Sequence, residues 1–363
     1  MVERMKKILI YLNSMQPAGG IERVVSTLAN ELCYDYHIDI LVKDEPRSFY
    51  ILNDRINVNT INVHLKLDMT SRVKRACSLF FSLFSSVIKL RSYFSQHSYD
   101  YIYVTTPLSF LECLFTFRVS NKIIASEHGA RDNYNGIYKL IKYAYKLAKA
   151  YVLPTTEDYR YYLSKGFPAS YIPHLRPTLP YIKTNVGQKF VINIGRFTAD
   201  KRQSLLVSMW SRIISGNPEL NDWVLLLVGK GELKKEIENL INELELSESV
   251  KLIPPQKNIQ DLYTRASIFA LTSSSEGFGM VLLEAISFGL PVISFDCPAG
   301  PRDIIEDGKD GFLINNDNVA LYESKLRELM LNESYRQSMS ESNFIKGQTW
   351  NDSEILDKWR ELF

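Results

Sequence analysis

Two acidic residues, Glu276 and Glu284, stand eight positions apart in the stretch TSSSEGFGMVLLEAISFGLPVISFDCPAGPRDIIED, residues 272–307. Carboxylates accept hydrogen bonds from hydroxyls, and a pair of them can also divide acid and base work. Between them Gly277 and Gly279 allow backbone N–H groups to approach a ligand, and the start of the apolar run behind them offers a helix terminus that favours phosphate. With that helix beginning near Gly279, Glu284 lies roughly 7 to 8 Å along its axis at about 1.5 Å per residue. Glu276 stays in the loop. An acidic group at each end of an anion-binding helix start suits a ligand with hydroxyls at both ends and a diphosphate between, the layout of a nucleotide-sugar.

The elements that must position these groups are strands alternating with helices. Apolar runs predict strands at Ile8–Leu12, His37–Val42, Val58–Val63, Tyr101–Val104, Lys122–Ala125 and Tyr151–Leu153. Alternation restarts at Phe190, with strands at Val224–Val228, Val250–Ile253, Ile268–Leu271, Val292–Phe295 and Phe312–Ile314. Continuous apolar strands separated by helices make parallel sheets covered on both faces. Between the halves, Phe167–Val186 carries Pro168, Pro173, Pro177 and Pro180 and reads as a linker. The expected fold is therefore α/β with two Rossmann-like domains facing each other across a cleft. The first spans residues 1–180 and the second 187–345. A last helix, 346–363, with an apolar stripe at Ile355, Leu356, Trp359 and Leu362, is expected to pack back on the first domain.

Composition narrows the class. The chain has 363 residues, 45% hydrophobic and 23% charged, with a net charge of +2, so nothing in the balance points to nucleic acid. Four scattered cysteines without CxxC spacing argue against a zinc site or a disulfide framework and fit a reducing cytoplasm. The basic N-terminus is followed by too short an apolar run for a signal peptide, and no stretch reaches the ~20 apolar residues of a membrane span.

Other strand ends carry charge or glycine. Gly195 and Arg196 close the first strand of the second half, and Lys201 follows five residues later. A guanidinium and an ammonium there can share a diphosphate and stabilise it as a leaving group; a solvated basic helix start, Lys201-Arg202, would look the same. Gly229 ends the next strand. In the first half, Gly19 and Gly20 precede a helix without the GxGxxG pattern, so a dinucleotide site of the usual type is disfavoured.

These segments, GRFTADK (195–201), GKGEL (229–233), SSSEGFGMVLLEA (273–285) and DCPAGPRDII (296–305), resemble in order the nucleotide-binding half of retaining glycosyltransferases of family 4. Those enzymes have the two-Rossmann GT-B architecture and a Glu-x7-Glu motif. GGIERV (19–24) is similar to the GGxER loop of their polysaccharide-assembly members, whereas IPHL (172–175) departs from the IPNP of many relatives. The resemblance implies that Glu284 binds the ribose of a UDP-sugar and Glu276 the donor sugar, with backbone N–H groups of Gly277, Phe278, Gly279, Met280 and Val281 nearby. It implies that Arg196 and Lys201 neutralise the diphosphate, that Gly20 approaches it, and that His128 contacts the sugar or shields the reacting centre. No divalent metal or cofactor is then needed; the UDP-sugar is a co-substrate.

Two first-domain segments read as basic and amphipathic. Residues 72–94 mix Phe and Leu with Arg72, Lys74, Arg75, Lys89 and Arg91. Residues 134–150 place Lys139, Lys142, Lys146 and Lys149 on one helical stripe beside Tyr138 and Tyr145. Together with the resemblance, they predict peripheral contact with an anionic membrane surface at the inner face of the cell membrane. The acceptor implied is a glycan on a polyprenyl diphosphate, the reaction a retaining transfer of a hexose or N-acetylhexosamine in surface polysaccharide synthesis. Competing readings are a glycosidase using the two carboxylates, a nucleotide-sugar epimerase on the same scaffold, and a catalytically silent assembly scaffold.

Overall fold

The computed structural model describes residues 4–63, 72–117, 120–131 and 136–363, with the backbone alone at 72–80, 117 and 137. Its contacts divide the chain into two compact units, Met1–Leu175 with Asp352–Phe363, and Arg176–Asn351.

The first unit holds seven strands: β1 Lys7–Leu12, β2 His37–Val42, β3 Asn57–Thr60, β4 Tyr101–Val104, β5 Ile123–Ser126, β6 Ala150–Leu153 and β7 Ala169–Tyr171. All are parallel, in the order β3-β2-β1-β4-β5-β6-β7. Helices α1 Gly20–Leu32, α2 Arg72–Gln96, α3 Pro107–Phe117, α4 Gly136–Lys142 and α5 Thr156–Ser164 connect them. The second unit repeats the plan with β8 Phe190–Ile194, β9 Val224–Val228, β10 Val250–Ile253, β11 Ile268–Leu271, β12 Val292–Asp296 and β13 Gly311–Asn315, in the order β10-β9-β8-β11-β12-β13. Its helices are α6 Gln203–Ser215, α7 Lys234–Glu243, α8 Gln260–Arg265, α9 Met280–Ser287, α10 Pro301–Ile304, α11 Val319–Leu331 and α12 Glu333–Gln348. Central strands such as IFAL and VISFD are apolar because both faces are covered, and Phe269, Ala270, Ile293 and Phe295 are fully buried.

In each sheet the strand order reverses beside the first strand, between β1 and β4 and between β8 and β11. Such a switch point opens a crevice outside the carboxyl ends of the two strands, where ligands of this fold bind.

The proline-rich stretch 167–186 is not wholly a linker. Its residues Ala169–Tyr171 form β7, which pairs with β6. Three residues between Pro168 and Pro173 show no apolar run, and prolines flanking an edge strand cost no ladder bond. The units divide after Leu175 rather than near 180, because Thr184 already bonds the Ala266 carbonyl and Arg176 the Gly347 carbonyl. At the other end the second unit runs through α12 to Asn351. Gly347 lies so close to α9 that an added Cβ would meet the Ser287 Cα at 2.5 Å.

The last helix, α13 Asp352–Leu362, belongs to the first unit. Trp359 meets Tyr103 edge-on at 5.3 Å, the Lys6 ammonium donates to the Phe363 carbonyl at 2.8 Å, and Arg360 forks onto Asp35 at 2.8 and 2.9 Å.

Candidate functional site

The second unit's switch point gathers the charged residues that the sequence singled out. β8 ends at Ile194, and Gly195, Arg196 and Lys201 follow; β11, its neighbour, ends at Leu271 and leads to Glu276. The Lys201 ammonium donates to Glu276 Oε1 at 2.7 Å, and the Ser273 hydroxyl donates to the same oxygen at 2.6 Å. Both contacts fall on Oε1, which leaves Oε2 to accept from a ligand. Glu276 is 9% exposed, so its charge needs the ammonium beside it. Arg196 is exposed, and among the described residues its guanidinium has no protein partner.

The two loops are fastened together by their backbones. Ser274 N–H donates to the Asp200 carbonyl at 2.8 Å, and the Thr272 hydroxyl to the Lys201 carbonyl at 2.9 Å. Arg202, which the sequence offers only as a basic helix start, donates to the Thr272 carbonyl at 2.7 Å and the Ser273 carbonyl at 3.3 Å. Glycines at the strand ends serve the same closeness. A Cβ on Gly229 would lie 1.9 Å from the Gly195 carbonyl oxygen, and one on Gly231 2.3 Å from that of Phe197. At Gly229 the neighbouring backbone alone therefore demands glycine.

Behind Glu276 the chain turns at Gly279, whose φ of 91° is left-handed, and α9 begins with no side-chain cap. The first N–H groups of α9 thus face the loop as a site for negative charge. Two turns of sequence on, Glu284 is buried on α9 and accepts from the Tyr263 hydroxyl at 2.9 Å. Tyr263 in turn stacks on Phe288 with centroids 5.1 Å apart. Tyr263 escaped the sequence reading because it lies in no motif, and Ser273 because its segment was read for its glutamates and glycines; the fold brings both to the carboxylates. Cys297, just past β12, is fully buried, and desolvation reinforced by the Glu276 charge pushes its thiol up to about 12, so it stays neutral and unreactive.

The remaining sequence-singled residues lie in the first unit. Gly19 is the N-cap of α1 without a side-chain bond, and Gly20 is exposed with open space around its Cα. His128 follows β5. Its Nε2 meets the Ser126 hydroxyl closely and the Tyr103 hydroxyl at 3.3 Å, and its ring stacks on His174 at 5.5 Å. Burial lowers its pKa from 6.5 to about 4, and His174 is lowered well below 6.5 by burial and by its neighbour. A histidine that is neutral when folded binds its proton in the unfolded chain first, so stability rises with pH between about 4 and 6.5 and is lost as pH falls through that window. Urea midpoints measured from pH 7 to 4 should fall less steeply for the His128→Gln/His174→Gln double variant than for the parent.

The lysine stripe requires correction. Residues 134–150 do not make one helix: α4 ends at Lys142 and a 3-10 turn spans Tyr143–Leu147, while Tyr134 lies outside the described residues. Lys142 is 3% exposed and pairs with the buried Glu127, and its ammonium also reaches the Tyr162 hydroxyl at 3.2 Å. Tyr145 is 1% exposed and packs in the core against Phe110 and Tyr151. Lys139, Lys146 and Lys149 are exposed, but Lys149 bonds the Leu362 carbonyl of α13. The side chains of Arg72, Lys74 and Arg75 lie outside the described residues. No described helix is long and apolar enough to cross a membrane.

Comparison with known proteins bears on the fold and the family. Residues 180–344 match the family described as glycosyl transferases group 1. The chain is 26% identical over 374 residues to the amylovoran biosynthesis glycosyltransferase AmsD of Erwinia amylovora, covering 99% of each protein. It is 23% identical over 361 residues to the GalNAc-alpha-(1->4)-GalNAc-alpha-(1->3)-diNAcBac-PP-undecaprenol alpha-1,4-N-acetyl-D-galactosaminyltransferase of Campylobacter jejuni, covering 98% of this chain and 96% of that one. A Staphylococcus aureus TarM mutant, solved with fondaparinux, alpha-GlcNAc-glycerol and UDP, superposes with a TM-score of 0.79 at 17% identity over 99% of each chain. The stretch that carries Lys201, Glu276 and Glu284 thus matches the group 1 glycosyl transferases, in a chain with the two-Rossmann fold of the GT-B glycosyltransferases.

Proposed function

We propose that the protein is a retaining glycosyltransferase that moves a hexose or N-acetylhexosamine from a UDP-sugar to a polyprenyl-diphosphate-linked glycan in bacterial surface polysaccharide synthesis. The observation that carries the reading is the Lys201–Glu276 pair at the β8/β11 switch point, with an exposed Arg196 beside it and the uncapped start of α9 behind. Glu276 Oε2 accepts from a sugar hydroxyl, and Glu284 from the ribose. Arg196 and Lys201 neutralise the diphosphate as the glycosidic bond breaks, which asks for no metal and no cofactor. The acceptor hydroxyl enters on the face from which UDP leaves, and the leaving phosphate takes its proton, so orientation and leaving-group stabilisation supply the rate. Gly20 and His128 are assigned to the donor from the first unit by resemblance.

The acceptor class is drawn from relatives, one of which is named for an undecaprenol-diphosphate acceptor. It also fits a first-unit surface that is more apolar than its sequence indicates. Phe81, Phe84 and Ile88 on α2 are 70%, 60% and 50% exposed, and Leu140, Tyr143 and Leu147 are 72%, 57% and 54% exposed. Lys89, Arg91, Lys139 and Lys146 are exposed among them, a composition suited to the headgroup region of an anionic inner-leaflet membrane. An anionic-liposome flotation assay should recover the parent protein and lose the Phe81→Ser/Phe84→Ser/Leu140→Ser variant. Incubation with a panel of UDP-sugars and membrane lipid extract should release UDP only when extract is present. Equal turnover with a soluble acceptor and no flotation would remove the lipid-linked reading, and sugar conversion without acceptor would favour the epimerase.

A further inference from the structure

Adjacent residues Lys201 and Arg202 grip the same loop at two places, and only the first grip involves a group that a donor would engage. Arg202 sits at φ 51° and ψ 39°, the left-handed region that side-chain-bearing residues rarely occupy, and it forms the N-cap of α6. Such a conformation persists only where its surroundings over-determine it. Here the surroundings are specific. The guanidinium donates to the Thr272 and Ser273 carbonyls and to Asn316 Oδ1 at 2.5 Å, and lies 4.7 Å from the Phe295 ring centroid. Asn316, just past β13, returns its amide to the Ser274 carbonyl at 3.4 Å. Three consecutive carbonyls between β11 and Glu276 are thus held from beneath by one arginine–asparagine pair, while the left-handed turn lets Lys201 reach Glu276 itself.

We propose that Arg202, supported by Asn316, is a positioning residue that fixes the 272–276 loop so that Glu276 meets the donor sugar in register with Lys201. The proposal rests on the donor-site reading of Glu276 and Lys201. It predicts a division within the ligand. Glu284 stands on α9, outside the clamped loop, so loosening the clamp should spare the UDP end and impair the sugar end.

Arg202→Gly removes the guanidinium and leaves a residue at ease in the left-handed region. Hydrogen exchange on the full chain, without substrate, should quicken by about 10-fold or more at Ser273–Gly277 and stay unchanged in β11. UDP affinity should stay within about 3-fold, while UDP release from UDP-glucose, UDP-galactose or their N-acetyl forms in the presence of membrane lipid extract falls about 10- to 100-fold, the scale of a small misplacement at a reacting centre. Added methylguanidinium should restore part of the lost turnover, which a general loss of stability would not permit. Unchanged exchange in the loop, or quickened exchange with parental turnover, overturns the proposal. Should Arg202→Gly not fold, Asn316→Ala decides by the same exchange measurement, and an unaltered loop there overturns it equally. An inactive Lys201→Ala beside a fully active Arg202→Gly rejects the clamp alone; an active Lys201→Ala rejects the donor-site reading beneath it.

Discussion

Arg196→Ala should lower donor turnover by about 10²- to 10³-fold, the effect of removing one preorganised donor from a developing charge, or about 2.7 to 4 kcal/mol. It should do so without touching stability, because the side chain is exposed and among the described residues has no protein partner to lose. Lys201→Ala should match it in turnover but differ in one other respect. It strips the counter-charge from a carboxylate that is 9% exposed, so the second unit should also lose stability. Glu284→Ala should instead raise KM for the donor with a smaller change in kcat, since a ribose contact is made equally in ground and transition states. Kinetics with UDP release as the readout, alongside thermal unfolding, separate the three. Full activity in all of them would refute the site assignment.

The fold was legible because parallel strands buried on both faces are written as apolar runs, and those runs cannot easily be anything else. Several residues proposed for the donor follow strand ends whose positions the runs fix: Gly195 and Arg196 after β8, Gly229 after β9 and Glu276 in the loop after β11. What escaped was everything set by a second strand. Lys201 was read as a free cation, and its pairing with Glu276 appears only once β8 and β11 are neighbours, 75 residues apart in the chain. Arg202 looked like a solvated helix start because a left-handed φ leaves no trace in a residue that is not glycine. Gly229 reads in the sequence only as a glycine that ends a strand, and the close approach of the Gly195 carbonyl that requires it becomes visible only in the fold. β7 was missed because a three-residue edge strand between prolines carries no periodic signal.

The lysine stripe failed for a different reason, and its failure yields a large expected effect on stability. Spacing of three and four places residues on one helical face only while the helix continues, and here it gives way at Lys142 to a 3-10 turn. Lys142 faces inward instead, to Glu127 at the end of β5, with the Tyr151 hydroxyl donating to the same carboxylate oxygen. Both charges are at most 3% exposed. Lys142→Ala therefore takes the ammonium's charge away from a buried carboxylate and should cost about 3 to 5 kcal/mol. At roughly 2 to 4 °C per kcal/mol for a unit of this size, the melting temperature should fall by roughly 6 to 20 °C. Lys139→Ala, on the exposed side of α4, should stay within about 0.5 kcal/mol. Replacing both partners, Lys142→Met with Glu127→Leu, should recover much of the loss, since an apolar pair of similar volume has no charge to desolvate. Membrane affinity should run the opposite way, falling with Lys139 and Lys146 and remaining with Lys142 once folded protein alone is counted. Equal stability costs at 139 and 142, or a flotation defect confined to Lys142, would restore the stripe.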